Sequence, residues 1–244
     1  MNTICPTDQF VSVLRIQRLL AKIDRLRVSP TSRRDVESIL VRQVSREIDR
    51  VLPWQSGHGH RTAAIALALG RATGLGMDEL HHLKLAGFLH DVGLLMLPPK
   101  MVADPTPCEP DAYLAMQNHS RLGAQLLEPF QFLRNAAVYV AHHHERWDGT
   151  GYPYGIRGTF IPVGARILAI ADAFDAIRVP KAGTLGTRDH VAIRILRVAA
   201  GTQFDPNLVE LLCRHLKRIS TPYPQSIRWP HRFRSIHDHT GDPS

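Results

Sequence analysis

An all-α fold is what this 244-residue sequence predicts. Three observations carry that expectation. Apolar residues recur at three- and four-residue spacing along most of the chain. Proline, glycine and small polar residues fall where one such stretch stops and the next begins. No stretch of useful length alternates apolar with polar residues as a half-buried strand does.

In chain order, Phe10 to Leu26 carries Val13, Leu14, Ile16, Leu19, Leu20, Ile23 and Leu26 at helical spacing. Ser29-Pro30-Thr31-Ser32 interrupts it and opens a second helix to about Leu52, which Pro53 closes. His58 to Thr73 reads as a helix of small residues ended by Gly74 and Gly76. Asp78 opens another, through Leu89 to Asp91, with Gly93 just beyond. Leu97 to Pro107 is a proline-broken loop, followed by helices over Glu109–Leu127 and Phe130–His144. The chain then turns irregular from Asp148 to Gly155. Pro162 to Ile177 is helical, Val179 to Thr187 a loop, and Arg188 to Ala200 a helix stopped by Gly201. Asp205-Pro206 has the cap-then-proline order that starts a last helix, to about Leu216. Beyond Arg218 the chain is rich in Pro, Ser, His and Arg and is expected to be disordered. The expected organisation is an N-terminal helical extension over 1–52, a main domain over 53–217 and a basic tail over 218–244.

A hydrophobic fraction of 44% can supply a sizeable core. No apolar run approaches the roughly 18 residues that a membrane span needs. The start, MNTICPTDQF, lacks the basic-then-apolar pattern of a secretory leader. Cys5, Cys108 and Cys213 are odd in number and far apart, which reads as reduced thiols and a cytoplasmic location. The net charge of +8 favours an anionic partner. The basic residues are nevertheless scattered, densest over Arg15–Arg50 and Arg214–Arg234, with no recognition helix or aromatic platform. Nucleic acid is therefore not the expected partner.

Fourteen histidines are the anomaly in the composition. His90-Asp91 closes one helix, and adjacent helical side chains diverge by about 100°. Both can touch a metal only if it lies near the helix end or if two metals are present. His143-His144 poses the same geometry. Asp172 lies in the apolar stretch Ala169-Ile170-Ala171-Asp172-Ala173-Phe174, where an unpaired carboxylate would be costly and a metal is the simplest counter-charge. His58 and His119 add further ligating groups. A mixed His and Asp shell suits iron, manganese or zinc better than calcium or magnesium.

The ordered set His58-x-x-Arg61, His90-Asp91-Val92-Gly93, His119 with Gly123, His143-His144-Glu145-Arg146-Trp147-Asp148-Gly149-Thr150-Gly151-Tyr152-Pro153 and Asp172-Ala173-Phe174-Asp175-Ala176 resembles the HD-GYP domain. Gly201-Thr202-Gln203-Phe204-Asp205-Pro206 matches its closing segment, so the resemblance covers about Pro53 to Leu212. It implies an HD-type helical bundle that hydrolyses cyclic di-GMP with a hydroxide activated between two divalent transition-metal ions, iron or manganese. By position, His58, His90, Asp91 and Asp172 would hold one metal. Asp91 would bridge to a second, held also by His119, His143 and His144, which makes Asp91 the expected catalytic residue. Gly151, Tyr152 and Pro153 would form a lip that contacts substrate, with Asp175 and Lys181 as further contacts. The implied partners are cyclic di-GMP and diguanylate cyclase domains, with a homodimer as the candidate assembly.

Three positions depart from the family pattern. Leu94 stands where a lysine usually follows the His-Asp pair, and leucine can neither hold nor protonate a phosphate oxygen. Trp54 stands where three-metal members carry glutamate, which points to two metals. Lys181-Ala182-Gly183-Thr184 replaces a basic and aromatic loop. These losses fall on substrate handling, so a sensor or adaptor that binds nucleotide or a cyclase is the alternative function.

Overall fold

The computed structural model describes residues 6–27, 29–103, 110–179 and 189–219. Among them the chain forms ten α-helices and no named strand. An HD-type all-α architecture is thus what the periodicity and motifs anticipate. The helices are α1 (Pro6–Asp24), α2 (Pro30–Val51), α3 (His58–Thr73), α4 (Met77–Leu89), α5 (Pro99–Ala103), α6 (Pro110–Leu127), α7 (Arg134–His142), α8 (Val163–Arg178), α9 (Asp189–Val198) and α10 (Pro206–Ile219). None of the described helices is long and apolar enough to cross a membrane.

Local chemistry sets most boundaries. Pro30 occupies the first turn of α2, where its missing N–H costs no helical bond. Gly74 ends α3 in a left-handed conformation, φ 84°, which favours glycine. Glu79 reaches back to accept from Gly76 N at 3.0 Å and closes the start of α4. Several boundaries differ from the sequence reading, among them the end of α4, at Leu89 rather than Asp91, and the start of α7, at Arg134 rather than Phe130. The proline-broken loop contains the short helix α5, because Pro99 can start a helix as readily as it stops one. α7 ends at His142, so His143 and His144 lie in the turn that follows it rather than on the helix.

α3 lies against α4, α8 and α10, and α10 also touches α8. α6 and α7 pair with each other, and α6 also packs on the 3-10 turn Val92–Met96. α1 pairs with α2 and reaches that same turn. One hydrophobic core runs through all of this, from Ile16, Leu20 and Val44 to Ile65, Leu83, Leu168 and Leu212, each fully buried or nearly so. The N-terminal helices thus share the core of the main domain. Lys181 and its loop, and the tail beyond residue 219, lie outside the described residues.

Candidate metal centre

His58 starts α3, His90 follows α4, His119 sits in α6, His143 and His144 follow α7, and Asp172 sits in α8. The fold brings these side chains together in two groups. His58, His90 and Asp172 form one, and His119, His143 and His144 the other, with donor atoms in each group within 4.8 Å of one another. Within the first, His58 Nε2 lies 3.0 Å and His90 Nε2 3.8 Å from Asp172 Oδ1. Within the second, His119 Nε2 and His144 Nε2 are 3.1 Å apart. Ligand atoms about 2.0–2.2 Å from a shared ion lie at most about 4.4 Å apart, so these spacings suit a cation.

Asp91 stands between the groups. Its Oδ2 is 3.2 Å from His90 Nε2 and 4.0 Å from His58 Nε2, while Oδ1 is 3.5 Å from His119 Nε2. One carboxylate oxygen therefore faces each group. Gln55 also donates its side-chain N–H to Asp91 Oδ2.

The imidazoles are oriented by their other nitrogen. Nδ1 of His90, His119 and His143 donates to the carbonyls of Gly87, Met116 and Val140 at 3.0, 2.8 and 2.7 Å. A carbonyl can only accept, so each Nδ1 carries a hydrogen, and in the neutral imidazole Nε2 is the nitrogen left to offer a lone pair. Nε2 of His90 and of His143 is buried without a hydrogen bond. Buried nitrogens left bare are costly unless something electron-poor meets them, and a divalent metal fits that need.

Electrostatics agree with the donor set. Burial opposes charge on Asp91, but the imidazoles of His90, His119 and His58 outweigh it and hold the carboxyl well below its ordinary range. Burial pushes His143 and His144 well down, and neighbouring imidazoles push in the same direction. Both are thus neutral, as a metal ligand must be. For His58 burial acts downward, yet Asp172 and Asp175 overrule it and raise the imidazole well above its usual value. A cation binding beside Asp172 would displace that proton.

Two glycines permit the assembly. A Cβ on Gly93 would overlap the backbone oxygen of His119 and stand 2.6 Å from Gly123 N, so only glycine lets α6 carry His119 up to Asp91. A Cβ on Gly151 would run into Arg146 N and lie 2.6 Å from His144 O. That tight turn lets Tyr152 stack on His144, with ring centroids 4.8 Å apart and planes at 29°. The 148–155 lip, which includes Pro153, is fixed from below and from the side. Glu145, 3% exposed, accepts from Tyr154 N at 2.7 Å. Trp147 N and Asp148 N donate to Gln203 O and Thr202 O at 3.1 and 2.8 Å. Arg166 pairs with Asp205 at 2.6 Å beneath them.

Four residues stand away from the expected contacts or were given no role. Asp175 lies behind His58, with a 1%-exposed side chain, instead of lining an open surface. His142 belongs to neither donor group; its Nδ1 donates to Val138 O at 2.8 Å and its ring lies 5.1 Å from that of Tyr154. Trp54 donates its indole N–H to Val102 O at 3.1 Å and packs on the core. Gln55 carries no signal in the sequence, because its contact with Asp91 depends on a chain reversal after Pro53.

Leu94 is 4% exposed and belongs to the hydrophobic core. Its carbonyl, with that of Leu97, accepts from the Gln9 side chain of α1, at 3.2 and 2.8 Å. A lysine here would bury its charge under α1. Leu94→Lys is therefore expected to lower stability by ~2–4 kcal/mol in urea unfolding. Unchanged stability would mean that the ammonium reaches the polar centre instead.

Sequence comparison now adds to the geometry. The family model described as HD domain matches residues 42–208. The chain belongs to the HD domain family. The His-Asp pair at 90–91 and the His143-to-Pro153 string make it an HD domain of the HD-GYP kind. The cyclic di-GMP phosphodiesterase response regulator RpfG of Xanthomonas campestris is 32% identical over 81% of this chain and 53% of its own length. The 3'3'-cGAMP-specific phosphodiesterase 2 of Vibrio cholerae is 32% identical over 75% of this chain and 35% of its own. This HD domain thus spans about a third to a half of these relatives. An HDG"Y"P protein of Bdellovibrio bacteriovorus has the same fold, with a TM-score of 0.59 at 17% identity over 86% of this chain and 70% of its own.

Proposed function

We propose that this HD domain is a metal-dependent phosphodiesterase that hydrolyses cyclic di-GMP. The observation that supports it most is the placement of Asp91, with one carboxylate oxygen toward each group of donors. In this reading His58, His90, Asp91 and Asp172 hold one ion, and Asp91, His119, His143 and His144 hold the other. Iron and manganese are the metals that the mixed shell favours. Two bound divalent ions would supply a nucleophile from water at neutral pH and offset charge on the attacked phosphate.

The chain's own groups do the rest. Neutral His143 and His144 present lone pairs, the ionised Asp91 spans both halves, and Tyr152 stacks on His144. Gly151, Tyr152 and Pro153 then border the substrate, with Lys181 as a further contact. Residues 53–217 form the catalytic unit, 1–52 a helical extension packed on it, and 218–244 a basic tail. The lip is also where a diguanylate cyclase domain would dock, on one chain or on a cytoplasmic homodimer.

Elemental analysis of anaerobically purified protein should find about two iron or manganese ions per chain. Cyclic di-GMP should be cleaved, and chelation should abolish cleavage. Protein without metal, and with no gain on reconstitution, would sink the reading. A second reading, a metal-loaded binding protein or adaptor, is favoured by the buried Leu94. Metal-loaded protein that binds cyclic di-GMP and leaves it intact would select it.

A further inference from the structure

The family resemblance puts Asp175 at the substrate, but both oxygens of this buried carboxylate are engaged elsewhere. Oδ2 accepts from His58 Nδ1 at 2.8 Å and Oδ1 from Arg61 Nε at 2.8 Å. Arg61 also donates Nη1 to Ser56 O at 3.1 Å. We infer that Arg61 and Asp175 are positioning residues that fix the tautomer of His58, so that its Nε2 lone pair faces the cation site. The inference rests on the metal-site reading above.

Hydrogen-bond polarity carries it. Arg61 Nε–H can only donate, and the ionised Asp175 carboxylate can only accept. His58 Nδ1 must then carry a hydrogen, so that when a cation takes the place of the Nε2 proton beside Asp172 Oδ1, 3.0 Å away, the lone pair freed is the one on Nε2. His90, His119 and His143 reach the same state through the carbonyl three residues earlier in their own helix. His58 is the first residue of α3 and has no preceding helical turn to supply one. A carboxylate from α8, aligned by an arginine from α3 itself, takes that place.

Asp175→Asn tests this at nearly constant volume. If the new amide turns its oxygen to Arg61, its N–H faces His58, and the imidazole hydrogen must move to Nε2. If it turns its oxygen to His58, two donors collide at Arg61. Adding Arg61→Gln removes the conflict, because a glutamine carbonyl oxygen stands as many bonds from Cα as Arg61 Nε and can accept. The probe is cobalt(II), titrated anaerobically into metal-free protein and followed by its visible absorption, with thermal melts of the metal-free proteins as the folding check.

Wild type should take two ions. Asp175→Asn should weaken one of them about 10–100-fold, the usual cost of losing an outer hydrogen bond to a ligand, and spare the other. R61Q/D175N should regain most of that loss. Two unchanged affinities in Asp175→Asn, or a double variant no tighter than the single, would overturn the inference alone. If Asp175→Asn does not fold, R61Q/D175N is compared with R61Q; equal affinities support the inference, and a loss above about tenfold overturns it. Wild type that takes up no cobalt would overturn the metal-site reading and this inference together.

Discussion

Asp91→Ala protein is expected to hold less than one metal ion per chain, while His142→Ala protein keeps its full complement. Asp91 faces both donor groups, through Oδ2 toward His90 and Oδ1 toward His119. In the proposed two-ion site, removing it would take a ligand from each ion and also the counter-charge that His90, His119 and His58 share. The loss should exceed the roughly 10–100-fold that outer hydrogen bonds are worth, because a direct ligand is removed from both ions. His142, whose ring donates to Val138 O and lies against Tyr154, should behave as wild type. Elemental analysis of the two variants, purified side by side, checks this; equal metal content contradicts the role given to Asp91.

Gly93→Ala should act through the backbone and produce a comparable effect from outside the donor set. The added methyl would overlap His119 O and crowd Gly123 N, both main-chain atoms that no rotamer change can move aside. α6 must then retreat from the 92–96 turn and take His119 away from Asp91. Overpacking of this kind should cost ~3 kcal/mol or more and also lower metal content. Urea unfolding with metal analysis reads both, and a variant that matches wild type in each would show that α6 has slack there.

Much of this was legible in the residues. α3 begins and ends where the sequence reading places it, at His58 and before Gly74, because glycines in the left-handed conformation flank it on both sides. The two donor groups could be anticipated because five of the histidines and two aspartates fall within an ordered set of motifs. What the strings did not reveal is which side of each residue would be used. Asp175 lies three positions from Asp172, on the neighbouring part of the same α8 face, yet its partners come from α3, more than a hundred residues earlier. Gln55 was invisible for the same reason, since nothing local distinguishes an amide that meets a carboxylate 36 residues on. The position of Leu94 also reads differently once α1 is in place. The motif suggests a residue beside the site, whereas packing makes it part of the core beneath Gln9.

His90 and His143 each stand as the C-terminal cap of their helix, α4 and α7. The carbonyl end of a helix carries about half a negative elementary charge, so two such ends converge on the centre alongside the carboxylates of Asp91 and Asp172. The two helix ends therefore add to the carboxylates in drawing a cation toward Nε2 of His90 and of His143, which lie buried without a hydrogen bond.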